Sequence, residues 1–172
     1  MNKSVRVVLL VLAFAAALVL ALTKSPAVAQ SVSTVTSPSP APLAEGVVRL
    51  RSAHSVPMTV QRLKAAIKAN GIRFFDAIDQ QALARSAKLK IGQSTLVLFG
   101  NPPLGVQFLQ SSRYAGLDWP VRMLVTEEAD GSVWLAWTDF AWLANRYAIK
   151  DKDAQFKMAA AVAASLANAA AK

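Results

Sequence analysis

The sequence has no cysteine and a single histidine, His54, among its 172 residues. The first absence excludes thiol nucleophiles, iron–sulfur clusters, cysteine-ligated zinc, disulfides and a lipidated N-terminal cysteine. With one histidine, a metal site would need clustered carboxylates, and the acidic residues show no such spacing, so neither a metal nor another cofactor is expected. Gly-x-Ser-x-Gly, Ser-x-x-Lys, His-Glu-x-x-His, Gly-x-Gly-x-x-Gly and Walker patterns are also missing, which removes the usual signals of hydrolases and nucleotide binders. Acidic residues are scarce, 10 against 19 Lys and Arg, giving a formal charge of +9.

What is present begins with a leader. Lys3 and Arg6 precede an uncharged apolar run from Val7 to Leu22, and Ala27-Val28-Ala29 places small residues at cleavage spacing. Residues 1–29 therefore read as a signal peptide cut after Ala29. Sixteen helical residues would span about 24 Å, short of the roughly 30 Å of a bilayer's hydrocarbon, which argues against an uncleaved anchor. No arginine pair precedes the run, so the general secretory route is expected, with a periplasmic or secreted product that meets the membrane only through the leader before cleavage. Residues 30–45, with Pro38, Pro40 and Pro42, hold too little bulky apolar surface to offset chain ordering and read as a disordered Ser/Pro/Ala-rich linker.

Residues 46–172 form the expected globular domain, long enough to bury a core without a staple. Val47 to Arg51 is strand-like. Val56, Val60, Leu63 and Ile67 then share one helical face, with Ser55 as cap and Gly71 as stop. Ile72 to Phe75 is a second strand, and Asp79 caps a helix from Gln80 to about Lys88. The unalternating run Ser94 to Phe99 predicts a central strand covered on both faces. Asn101 before Pro102 predicts a helix to Gln110. Val121–Thr126 and Ser132–Thr138 flank Asp130-Gly131 as a hairpin. Asp139 caps Phe140 to Tyr147, and an Ala-rich, thinly amphipathic helix with Met158, Val162 and Leu166 at spacing four, packing through small residues, closes the chain. The pattern predicts an α+β fold with a mixed or antiparallel sheet of about five strands and helices largely on one face.

From His54 to Tyr147 the chain resembles the bacterial domain-of-unknown-function family DUF302. Ser52-Ala53-His54-Ser55-Val56, Ile78-Asp79, Leu98-Phe99-Gly100-Asn101-Pro102 with Gly105, Leu117-Asp118-Trp119-Pro120, and Val133-Trp134 followed by Asp139, Leu143 and Arg146 carry the likeness, in order along the chain. The resemblance implies a compact α/β fold and a homodimer, and brings no established activity. Many members place a histidine after the Ile-Asp pair, where this chain has Gln80, which weakens any two-histidine site.

Three constellations could carry function. A hydrolase-like enzyme would use His54 as base, oriented by Asp79 or Asp139, near Asn101; with no nucleophile motif beside it, His54 reads more readily as a hydrogen-bonded junction residue. Gly100 and Asn101 at a strand-to-helix turn, with Arg122 and Trp119, form the expected ligand-binding set, although Pro102 and Pro103 remove donors and suit a rigid turn better than an anion cradle. Trp119, Trp134, Trp137, Trp142 and Tyr147 could line an apolar pocket or a subunit interface; Trp134 and Trp137, three apart on one strand, must face opposite sides of the sheet.

Charge is lopsided. Arg49, Arg51, Arg62, Lys64, Lys68, Arg73, Arg85, Lys88 and Lys90 stand against only Asp76 and Asp79 in residues 46–90, while residues 91–172 hold seven charges of each sign. This is either a basic face for anionic membrane or polysaccharide, or a set of ordinary solvated surfaces. Nucleic acid is not expected as a partner of an exported chain without a recognition motif. The favoured expectation is a non-enzymatic envelope domain that binds a small molecule or an anionic envelope component, or mediates protein interaction.

Overall fold

The computed structural model describes residues 44–172. The expected signal peptide and almost all of the expected linker lie outside the described residues. The chain runs β1 (Val47–Ser52), α1 (Val56–Ala69), β2 (Arg73–Asp79), α2 (Gln80–Ser86), β3 (Ser94–Gly100), α3 (Pro102–Ser111), a 3-10 segment (Arg113–Asp118), β4 (Val121–Glu127), β5 (Val133–Thr138), α4 (Phe140–Arg146) and α5 (Asp153–Ala171). The five strands form one sheet in the order β1-β5-β4-β3-β2, antiparallel at every step. The fold is α+β.

Local chemistry sets the boundaries. The Asp79 carboxylate accepts from the Ala82 N–H and the Asp139 carboxylate from Ala141 and Trp142, so both aspartates cap as expected. Ser55 occupies the cap position of α1 without a side-chain cap bond. There Thr59 Oγ1 lies 2.9 Å from the Ser55 carbonyl and 2.7 Å from Ser52 Oγ, tying the first turn to the end of β1. Gly131 turns the β4–β5 hairpin at φ +78°, a backbone angle that suits glycine. The second strand runs to Asp79 rather than ending at Phe75, because the ladder with β3 resumes past an irregularity between Phe74 and Asp76.

Register assigns each side chain to a face. Val97, Met123, Trp137 and Val48 align across four strands, and Val125, Leu135 and Leu50 across three. This face is buried beneath α1, which touches β2, β3 and β4, and beneath α5, which lies beside α1 and against β1. Leu63, Ile67, Met123 and Leu135 are fully enclosed there, each side chain contributing about 1.5–3 kcal/mol through burial. On the opposite face Leu96, Leu98, Leu124 and Trp134 stay half-buried, so β3 is not covered on both sides as its apolar run suggests. Trp137 is buried and Trp134 faces the other way, its ring 4.1 Å beneath the Arg49 guanidinium.

Helix α5 packs through small residues as expected, but two of its three larger stripe residues leave the buried side. Phe156, Ala159, Ala163, Leu166, Ala167 and Ala170 are buried, whereas Met158 is 58 % and Val162 37 % exposed. Small residues let α5 approach α1 closely, and a wide alanine stripe therefore outweighs the larger residues in choosing the buried side.

Candidate functional site

Because the strands alternate in direction, the sheet has two chemically different ends. One collects the starts of β1, β2 and β4 with the ends of β3 and β5; the other collects the reverse set. Gly100, Asn101 and Trp119 lie at the first end, and His54 and Asp79 at the second. Seven-residue β3 separates them by about 20 Å. Asp79 and His54 follow the two outermost strands, four strand spacings or about 19 Å apart. The hydrolase set of His54, Asp79 and Asn101 does not converge on one cleft, and Asp139 stands at the end of β5, again opposite His54. These residues are separated because alternating strand direction puts the loops that carry them at different ends.

At the Asn101 end a cavity of about 190 Å³ opens between the sheet end, α3, α4 and α5. Phe99 and Val121 come from the sheet, Leu104 and Phe108 from α3, Leu143 and Tyr147 from the α4 end, and Met158 and Val162 from the exposed flank of α5. Phe108 and Phe156 stack at 4.3 Å between centroids and fix α3 to α5. The position of Met158 and Val162 on the cavity explains their exposure. The lining is apolar apart from Asn70, Asn101, Asp118 and the polar tips of Tyr147 and Trp119.

Trp119 organises this end. Its indole lies against Gly100 and Gly105: a Cβ on Gly100 would meet the ring at 3.3 Å, and one on Gly105 would overlap Nε1. Phe75 meets the ring edge-on at 5.8 Å. The Gly100-Asn101-Pro102-Pro103-Leu104-Gly105 turn is thus a rigid seat for an aromatic ring. Asn101 precedes α3 without a side-chain cap bond, leaving its carboxamide available on the cavity wall.

Asp118 is the charged group of the lining, with its side chain only 12 % exposed. Its carboxylate accepts from Arg122 Nη2 and from the Tyr147 hydroxyl, and Arg146 Nε lies 3.6 Å away. Desolvation, and then the hydrogen bond to Asp118 and its negative charge, hold the Tyr147 hydroxyl above the usual tyrosine range. The Arg146 guanidinium also lies over the Trp142 and Tyr147 rings at 5.1 and 5.6 Å.

The expected ligand set of Gly100, Asn101 and Trp119 therefore meets in one cavity, and Arg122 reaches it through Asp118. Sequence reasoning did not single out Asp118 or Arg146 as site residues; their signal lay in the Leu117-Asp118-Trp119-Pro120 motif and in Arg146 close behind Leu143. Among the four tryptophans only Trp119 lines the cavity. Trp142 instead packs over Gly46, where a Cβ would stand 2.5 Å from its ring.

His54 lines a separate, polar cleft with Arg51, Ser52, Gln93, Glu127 and Ser132. Its Nε2 is buried without a hydrogen-bond partner, so no serine or carboxylate is joined to that nitrogen. The nine basic residues do not share a face. Arg49 and Arg51 lie on edge strand β1, Arg73 on the opposite edge strand β2, Arg62, Lys64 and Lys68 on α1, and Arg85, Lys88 and Lys90 on and after α2. Several are already engaged: Arg49 with Glu128 at 2.7 Å, Arg85 near Asp79 at 3.8 Å, and Lys64 and Arg73 over Phe74 and Phe75. Among the described residues no group of three potential metal-binding side chains occurs.

Residues 48–171 match the family model described as "Domain of unknown function DUF302". The chain belongs to the DUF302 family. Its fold is similar to the crystal structure of the uncharacterized conserved protein DUF302 from Bacillus stearothermophilus, with a TM-score of 0.67 and 13 % identity over 74 % of this chain and 99 % of that one. This DUF302 chain is also 40 % identical over 104 residues to the fluoride-specific ion channel FluC 1 of Brucella suis biovar 1 (strain 1330), covering 60 % of this chain and 41 % of that protein. FluC 1 of Brucella abortus biovar 1 (strain 9-941) matches at the same identity and length over 38 % of its chain. The chain thus spans about two fifths of the curated relatives it matches. Among the described residues no helix is long and apolar enough to cross a membrane.

Proposed function

We propose that this chain is an exported, non-enzymatic binding module that takes a small, largely apolar ligand in the cavity between α3, α4 and α5. The observation that carries the reading is the aromatic-lined cavity itself, with a rigidly seated Trp119 and few polar groups at one edge. An apolar cleft with a small number of convergent polar groups is the usual form of a small-molecule site. The separation of His54 from both Asp79 and Asn101 weighs against hydrolysis, and the dispersal of the basic residues weighs against a basic-face adaptor. Export through the leader and homodimer formation, the latter implied by the family resemblance, belong to the same proposal.

A second reading, a module that works beside a membrane protein, is favoured by the partial match to chains named as fluoride channels. Native mass spectrometry of the protein taken from its own envelope separates the two. The first reading expects a mature chain starting at Gln30, as a dimer carrying a small-molecule adduct that Gly105→Leu abolishes. A detergent-dependent complex with a membrane protein and no adduct would favour the second.

A further inference from the structure

Resting on that cavity reading, we infer that the ligand is a small amphipathic carboxylate whose apolar body enters the cavity and whose head group meets Arg122 and Arg146. The argument starts from size. A cavity of about 190 Å³ resembles in scale one that holds a single benzene ring, so the apolar body is an aromatic ring or a short alkyl chain. Dispersion against Phe99, Phe108 and Trp119 would hold such a body without directing it.

Direction comes from the charged edge. Asp118 lines the cavity and is largely shielded from water, while Arg122 and Arg146, which are not themselves lining residues, contact its carboxylate with side chains 44 % and 47 % exposed and so flank that part of the wall. Two guanidiniums around one carboxylate leave a net charge of +1. Asp118 also occupies few of their donors: Arg122 reaches it through Nη2 and Arg146 approaches it through Nε. The remaining guanidinium N–H groups form planar forks, the geometry that pairs with a carboxylate. A cationic head would face two arginines there, and a neutral head would leave their charge unanswered. The Asn101 carboxamide on the cavity wall supplies a further polar contact for the ligand.

Three probes with one body and different heads test this: 3-phenylpropionate, 3-phenylpropan-1-ol and 3-phenylpropylammonium, titrated calorimetrically against the mature chain at low salt. The acid is expected to bind about tenfold tighter than the alcohol, the worth of one charge-assisted contact, and the amine weakest. Raising the salt is expected to narrow the preference for the acid, and Arg146→Gln or Arg122→Gln to reduce it several-fold. Should either variant fail to fold, the salt series on the unaltered chain still decides. Equal affinity for acid and alcohol would overturn the head-group assignment while leaving the cavity reading in place. Binding of none of the three by folded protein would overturn both.

Discussion

The two ends of the sheet differ in what their side chains have left to do. At the His54 end, polar groups mostly serve the backbone: Ser52 and Thr59 tie α1 to β1, the Asp79 carboxylate caps α2, and Ser94 Oγ lies 2.7 Å from Gln80 Oε1. At the Trp119 end, aromatic groups enclose space, a carboxylate and a phenol line it, and two guanidiniums contact that carboxylate. The first arrangement mostly completes a fold around a polar cleft, whereas the second leaves an apolar cavity with charged groups beside it. A catalytic-looking residue type thus sits at the structural end, and the binding geometry sits where no single residue type announces chemistry.

Gly105→Ala should break this contrast most severely. The added Cβ would overlap Trp119 Nε1, and the indole cannot retreat freely because Phe75 lies against its ring. Overpacking of this kind destabilises by about 1–3 kcal/mol, read as a lower denaturant midpoint at unchanged slope. The same substitution should fill or distort the cavity and abolish probe binding. A variant with wild-type stability and full binding would show that Trp119 is not held as described.

Much of the fold is legible in the sequence alone. Asp79 and Asp139 were readable as caps because a short acidic side chain before a helix has a definite local task, and Asp130-Gly131 marked the hairpin for a similar reason. Helix α5 was legible in part: packing through small residues follows from its alanine content, whereas the spacing of Met158 and Val162 with Leu166 wrongly suggests that all three share the buried side. The site was legible only in pieces. Gly100, Asn101, Trp119 and Arg122 stand together as an expected ligand set, but Gly105 as a seat for an indole depends on contact between residues fourteen apart, which no local pattern encodes. Asp118 and Arg146 escaped notice for the same reason: their pairing spans α4, two strands and a 3-10 turn.

A second, smaller effect concerns Tyr147. Its folded pKa is raised, first by desolvation and then by Asp118, so the neutral phenol is favoured in the native state. Its contribution to stability is fully present below the unfolded tyrosine value of about 10 and is lost as pH rises through the higher folded value. Tyr147→Phe should lower stability by about 1 kcal/mol at neutral pH through the lost hydrogen bond. It should also remove this part of the alkaline decline. Subtracting the variant's tyrosinate absorbance titration from that of the wild type isolates Tyr147. A difference curve centred at or below the ordinary value would contradict a desolvated phenol joined to Asp118.

The smallest change is expected at the other end, and its smallness is informative. His54 Nε2 is buried without a partner, so truncating the ring discards no hydrogen bond at that atom and relieves an unsatisfied polar group. Losing the ring's packing opposes that gain, since the residue is half-buried. His54→Ala should therefore alter unfolding free energy by less than about 1 kcal/mol, leaving the backbone bond from the His54 N–H to Ser52 Oγ intact. Binding of 3-phenylpropionate should be unchanged, because the cavity lies beyond the far end of β3. Equilibrium unfolding and calorimetry on the same preparation measure both quantities. A large loss of binding with stability preserved would mean that the His54 cleft and the Trp119 cavity act together, and the division between the two ends would have to be abandoned.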